Sequence, residues 1–306
     1  MSKEPEGRQG RRPTRSQRER RRKAQRKREY AWSTRRDFLR RAGYVAAAGL
    51  GLTTVGAVVR ALLAPAERKQ TPEEIIQEEI RRLGIKESAQ EKSLWAEAQE
   101  EFLQATSLGA NPESLQHFFE GNLVRMARSE NHYFRAASEY IQDLHSQGLL
   151  PFGFRPREST DLPNAIMTAV ANLNKDGMID YSLVIITSLV PGESALMLTT
   201  SATHESYHLE RFFYLSSLPE AGQTEEEKFE YMREYSANPL NYWKEEAGAY
   251  GYEAEAYILQ CGLLGSVYEP NASGQEERAA RYIQFDQDSS RQEWIDYIQT
   301  VVTRGF

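Results

Sequence analysis

Cysteine is almost missing from this chain of 306 residues. The single Cys261 excludes a disulfide framework within the chain, and with it any structural zinc site built on four cysteines or on two cysteines and two histidines. Histidine is scarce too, five in all, so histidine chemistry must come from very few positions. No internal repeat is present, which sets aside solenoid and propeller architectures. Between Arg8 and Arg28 the only apolar side chains are Pro13 and Ala24 and the only acid is Glu19, against twelve basic residues; such a segment cannot bury enough surface to fold alone. What the chain has in quantity is charge, and it is segregated. Residues 1–66 carry 18 Lys+Arg against 5 Asp+Glu, a balance of +13, and the rest carries 20 against 39, a balance of −19. A basic leader and an acidic body require separate explanations.

In the leader, Ser33-Thr34-Arg35-Arg36-Asp37-Phe38-Leu39-Arg40-Arg41 precedes an uncharged stretch from Ala42 to Val59, then Arg60 and Ala64-Pro65-Ala66. A charged segment, an apolar segment and a small-x-small site, in that order, have the form of an export signal. The heptad from Thr34 to Arg40 resembles the twin-arginine pattern Ser/Thr-Arg-Arg-x-Phe-Leu-Lys, with Arg40 in place of the lysine. The resemblance implies residues 1–66 as a signal peptide cleaved after Ala66, the twin-arginine translocation machinery as a partner, and a periplasmic or extracellular destination. If the signal is retained, the 18 residues from Ala42 to Val59 become a membrane anchor, weakened by Gly43, Gly49, Gly51 and Gly56. The competing reading, an arginine-rich tail on nucleic acid, leaves the small-residue site unexplained, so no nucleic-acid partner is expected. The twin-arginine route carries folded proteins, often with metals already inserted, which directs attention to metal ligands in the body.

The body starts helical. Thr71-Pro72-Glu73-Glu74 combines an N-cap, a proline at the first helical position and a capping-box acid, predicting a helix to about Leu83, ended by Gly84. Leu94, Ala98, Phe102 and Ala105 give a helical period over 87–106, and Asn111-Pro112-Glu113 opens a long helical region to about Gln147. From Leu149 to Asp161, Pro151, Gly153 and Pro156 mark a loop or boundary. Two apolar runs, Ala165–Leu173 and Met178–Val190, flank Asn174-Lys175-Asp176-Gly177 and predict a β-hairpin with Gly177 at positive φ. The same turn fits the first nine positions of a calcium-binding EF-hand loop from Asn172, but position twelve is Leu183 where a bidentate Glu is needed, and the flanks read as strands. Further helices are expected over Ser194–Leu215, Glu225–Arg233, Asn238–Leu264 and Arg291–Val302. The division expected is a helical region over 67–150 and a metal-binding domain over 151–306, in an α+β, mostly α-helical fold.

The chemistry is concentrated in Thr203-His204-Glu205-Ser206-Tyr207-His208-Leu209. Histidines at i and i+4 stand one above the other on a helical face, about 6 Å apart, so both imidazoles can reach one ion. Glu205, about 100° round the helix from His204, falls beside the ion, where it can hold and deprotonate a water. This is the His-Glu-x-x-His motif, and the chain resembles the zincin metallopeptidase superfamily over the stretch from the hairpin through the helix that follows Asn238. Glu210 departs from the apolar residue commoner at its position. The alternative is a pair of solvated histidines flanking a salt-bridging glutamate.

A catalytic zinc requires a third protein ligand. His117, His132 and His145 all lie upstream, and no third histidine follows, which disfavours the metzincin branch. The resemblance to glutamate-type zincins implies a ligand on a later helix. The segment from Trp243 to Tyr257 contains Glu-x-x-Ala-Tyr twice, from Glu246 and from Glu253. The two glutamates are seven apart and share a face. Glu253 is favoured as ligand because Glu-x-Glu-Ala-Tyr is the closer match, with Glu246 the alternative, and whichever does not bind metal is placed to hydrogen-bond a ligating histidine. Gly248 and Gly251 weaken a helix interior by about 1 kcal/mol each, which close approach to the His204 helix would offset. Tyr250 or Tyr257 is the candidate donor to a tetrahedral oxyanion.

The resemblance therefore implies a zincin-like domain in which a hairpin or small sheet precedes the His-Glu-x-x-His helix, Zn2+ as cofactor, a peptide or protein as substrate, and Glu205 as general base. An exported helical binding or scaffold protein, whose histidines are structural or bind metal without turnover, is the alternative.

Overall fold

The computed structural model describes residues 70–107, 111–156, 166–190, 193–267, 274–287 and 291–304. The basic leader, its twin-arginine heptad and the Ala66 cleavage position lie outside the described residues. Residues Lys69–Phe306 form one compact unit.

Local chemistry sets the helix ends. In α1 (Pro72–Leu83) the Thr71 hydroxyl accepts from the Glu74 amide while the Glu74 side chain accepts from the Thr71 amide, and Gly84 closes the helix in the left-handed region. Next come α2 (Ala89–Ser107), α3 (Pro112–Arg128) and α4 (His132–Ser146). The long helical region expected from Asn111 to Gln147 is thus two helices. The break at 129–131 arises because Asn131 spends its side-chain oxygen capping the Tyr133 amide at 3.1 Å, while the Ser129 hydroxyl turns inward onto the buried Glu91.

The strands are β1 (Phe152–Arg155), β2 (Met167–Leu173) and β3 (Ile179–Ile186). The hairpin forms as expected: β2 pairs antiparallel with β3, Ala169 opposite Leu183, around Gly177 at φ 71°. Asn174 organises the turn, its Oδ1 accepting from the amides of Asp176 at 2.9 Å and Met178 at 3.0 Å, and its Nδ2 donating to Asp180 at 3.0 Å. These side chains serve the turn, and the flanks are strands, so the EF-hand resemblance stops at composition. The stretch read from sequence as loop contains β1, parallel to β3. Phe152 and Phe154 pack edge-on against Phe119, centroids 5.2 and 6.4 Å apart, contacts worth about 0.5–1.5 kcal/mol each beyond area burial. Proline and glycine obscured an aromatic strand. The sheet order is β1-β3-β2, so among the described residues β2 is paired on one side only.

The remaining helices are α5 (Ala195–Ser216), α6 (Glu225–Ala237), α7 (Pro239–Leu264), α8 (Gln275–Gln287) and α9 (Arg291–Arg304). At the coarse level expected, the fold is mostly helical with a small sheet. No helix among the described residues is long and apolar enough to cross a membrane. The main core joins Phe102, Phe119, Phe134, Leu150 and Leu183 to Ala256 of α7, so helices on both sides of residue 150 share it. A second cluster sets Ile76 and Ile80 of α1 against Tyr257 and Ile258 of α7 and Ile283 of α8. A third packs Trp294, Ile295 and Ile298 of α9 on Ala247. Helix α7 enters all three.

One buried polar cluster ties the first helices to α7. Glu91 is wholly buried and accepts from Trp95 Nε1 at 2.6 Å, the Glu130 amide at 2.9 Å and Gln260 Nε2 at 3.2 Å, and from the Ser129 hydroxyl. Asn131 Nδ2 donates to the Ala256 carbonyl at 2.8 Å. Both oxygens of the carboxylate are thus served by donors, which is the condition for burying it.

Candidate metal centre

Helix α5 runs through the interior although it carries polar residues there. The Ser194 hydroxyl caps the Met197 amide, and Thr199 and Thr203 fold their hydroxyls onto the carbonyls of Ala195 and Thr199, each at 2.9 Å. Their donors are thereby satisfied inside the protein. One turn later His204 and His208 stack on the same face, Nε2 to Nε2 3.1 Å apart.

Helix α7 delivers carboxylates to this face because a glycine lets it approach. A Cβ on Gly248 would overlap the phenol of Tyr207 on α5, so close helix contact is the compensation for that residue. Gly251 instead faces Tyr282 of α8, where a Cβ would lie 3.1 Å from the ring. On either side of Gly248, Glu246 and Glu253 meet opposite edges of one imidazole. One Glu246 oxygen lies 3.8 Å from His204 Nε2 and the other 3.6 Å from His208 Nε2. Glu253 Oε2 lies 3.1 Å from His204 Nδ1. Seven residues of helix separate the two glutamates by about 10.5 Å along the axis, so they serve different nitrogens.

His204, His208 and Glu246 form a group whose potential ligand atoms all fall within 4.8 Å of one another. In a tetrahedral zinc site with bonds of about 2.0–2.1 Å, ligand atoms stand about 3.3 Å apart. The distances of 3.1, 3.6 and 3.8 Å bracket that spacing, and two imidazole nitrogens with a carboxylate are a donor set zinc accepts. Of the two glutamates offered by the sequence, Glu246 stands with the histidine Nε2 atoms and Glu253, the one favoured there, lies against Nδ1 of His204. Its neighbour Glu245 is committed elsewhere, paired with Arg211 at 2.7 Å and accepting from the Tyr235 hydroxyl at 3.0 Å.

Glu205 is buried beside the group. Its Oε2 accepts from the Ala169 amide at 2.7 Å, an amide on the edge of β2 left unpaired among the described residues. Burial pushes the Glu205 carboxyl up to about 7, against the pull of the His204 charge and the Ala169 hydrogen bond. Burial likewise raises Glu246 and, with the charge on His204, holds His208 well below the usual imidazole range. Burial would also lower His204, but its hydrogen bond to Glu253 and the charges of Glu205, Glu253 and Glu246 prevail and lift it to about 9. For Glu253 burial is outweighed by the Arg278 charge and the His204 and Gln275 hydrogen bonds, which take it down to about 2.

The two tyrosines named from sequence separate. Tyr257 is wholly buried in the second apolar cluster. Tyr250 packs its ring on His204, centroids 4.5 Å apart, with the Arg278 guanidinium 5.2 Å from the ring centroid. A phenol missed in the sequence is better exposed: Tyr242, one helical turn before Glu246 and 38% exposed, hydrogen-bonds Glu246, and burial of its inner part together with the charge of Glu246 pushes it up to about 12. Also missed is α8, which brings Gln275 and Arg278 to Glu253. Its signal was present: Gly274, two acids at Glu276 and Glu277, then Ala279, Ala280 and Ile283 at helical spacing.

The chain has no significant match among protein-family models, among curated proteins or among solved structures. The site's chemistry is therefore argued from its own geometry.

Proposed function

We propose that this chain is an exported zinc-dependent hydrolase of the zincin type, acting on peptide bonds. The observation that supports the reading best is the convergence of His204 Nε2, His208 Nε2 and the Glu246 carboxylate with the buried carboxylate of Glu205 beside them. His204, His208 and Glu246 hold the metal. Bound there, zinc supplies Lewis acidity, polarising a carbonyl and lowering the pKa of water to about 7. Glu205, buried beside the group and held by one oxygen, takes a proton from the attacking water and passes it to the leaving amine. The Ala169 amide holds one Glu205 oxygen and so aims the other. Tyr242, the exposed phenol that donates to Glu246 in the metal-free chain, turns its O–H to the carbonyl oxygen as charge develops there. The pattern at Thr34–Arg40 supports the twin-arginine route, and an exported form beginning at Glu67 is its expected mass signature.

The test is Glu205→Gln in the full chain, followed by elemental analysis and a peptide-hydrolysis screen. About one zinc per chain is expected in both forms, with turnover reduced about 10²–10⁴-fold in the variant. A variant as active as the parent removes Glu205 from the role of base. The second reading, a binding or scaffold protein with a structural metal, is favoured by the enclosure of the site, His204 and Glu205 each being 8% exposed. It predicts zinc in both forms and turnover in neither.

A further inference from the structure

Helix α8 contributes no candidate ligand, yet its first turn closes around the metal group. Arg278 is a buried cation, 5% exposed, and its Nη2 donates to Glu253 Oε1 at 3.1 Å. Gln275 Nε2 donates to the same oxygen at 2.8 Å and also to the Thr200 hydroxyl on α5, one turn before His204. The other Glu253 oxygen faces His204 Nδ1 at 3.1 Å. Arg278 further lies over the Tyr250 ring, and that ring packs on His204. His204, Glu253, Arg278 and Tyr250 thus form a closed circuit of contacts, and α8 supplies its permanent positive charge, the buried Arg278 guanidinium.

We propose that Arg278 is a positioning residue of the metal centre: by holding Glu253 on Nδ1 of His204, it fixes the ring so that Nε2 presents its lone pair toward His208 and Glu246. The inference rests on the reading of those three residues as a zinc site. A carboxylate free to rotate would leave the imidazole free to flip or to move its proton to Nε2, where it would block coordination. Arg278 meets the carboxylate through one Nη2 donor while its face rests on the Tyr250 ring, so its charge and a single donor carry most of its effect. Gln275, bonded to both Glu253 and α5, sets the distance between the two helices at this point.

The experiment compares the parent full chain with Arg278→Met, Arg278→Lys, Glu253→Gln and the Arg278→Met/Glu253→Gln double variant. Zinc affinity is measured by chelator competition, and the visible spectrum is recorded on the cobalt-substituted proteins. Arg278→Met is expected to weaken zinc on the order of 10–100-fold and to alter the cobalt bands, while Arg278→Lys recovers most of the affinity. In the Glu253→Gln background Arg278→Met adds no further loss, because the arginine acts through that carboxylate. Unchanged affinity and spectrum in Arg278→Met, with only a lower melting temperature, would overturn the proposal, as would additive losses in the double variant. If Arg278→Met does not fold, Gln275→Leu removes the other donor from the same oxygen; several-fold weaker zinc supports the proposal and unchanged zinc overturns it. A parent that binds no zinc or cobalt defeats the underlying metal reading instead, and is distinguished by that result alone.

Discussion

Zinc affinity should depend on pH through a single imidazole, with a slope that the site's electrostatics set. In the metal-free protein His204 is held at about 9, so at pH 7 its proton must leave before Nε2 can coordinate. Two pH units of competition cost about 2.7 kcal/mol, or about 100-fold in affinity. The sign is fixed: binding releases a proton, so affinity rises with pH, about tenfold per unit, and levels off above about 9. Between pH 7.5 and 8.5 Glu205, at about 7, is largely ionised and His208 is held well below the ordinary imidazole value, while any proton that burial retains on Glu246 is also released on binding and adds to the same upward trend. Calorimetric titration of zinc in buffers of differing ionisation enthalpy counts the protons released, and chelator competition at the two pH values gives the slope. About one proton and a tenfold gain are expected. In Glu253→Gln, where the hydrogen bond and charge that raise His204 are gone, the slope should flatten. A pH-independent affinity in the parent across this window would refute the electrostatic account of His204, even if zinc binds.

Gly248→Ala inserts a methyl group where Tyr207 already stands, and such overpacking costs about 1–3 kcal/mol, partly offset by about 1 kcal/mol of helix propensity. A fall of several degrees in melting temperature, with weaker zinc, is expected by thermal scan; an unchanged protein would mean that the two helices are not in close register there. Tyr242→Phe should retain zinc and lose turnover about 10²-fold, whereas Tyr257→Phe, confined to the core, should leave kcat unchanged. Steady-state kinetics that reverse this order would return the donor role to the buried ring.

Much of the fold was legible because local rules dominate its ends. Thr71, Asn111, Ser194 and Asn238 each cap the helix that sequence assigns to them, and Gly177 takes the positive φ a two-stranded turn needs. What was not legible depends on distant partners. Strand β1 exists because Phe119 receives its aromatic rings, and the helix break at Ser129 exists because Glu91, far away in sequence, needs donors. At the site, the i, i+4 spacing of His204 and His208 is a local property, and so is Glu205 between them. The choice between Glu246 and Glu253 is not local. Both lie on the face that meets α5, and which one reaches Nε2 is decided by how α7 crosses α5 and by Arg278 and Gln275, which commit Glu253 to the other nitrogen.

The Glu91 cluster also bears on the order of events during synthesis. Its carboxylate, placed early in the body, waits for Gln260, a partner 169 residues later, and Asn131 waits for the Ala256 carbonyl 125 residues later. Until α7 has left the ribosome, Glu91 has its three donors from the first helices, Trp95, Ser129 and the Glu130 amide, and lacks the fourth. The last partners of this cluster therefore arrive on the helix that bears Glu246 and Glu253, so the polar seam of the first helices and the carboxylates of the site come from one late segment of the chain.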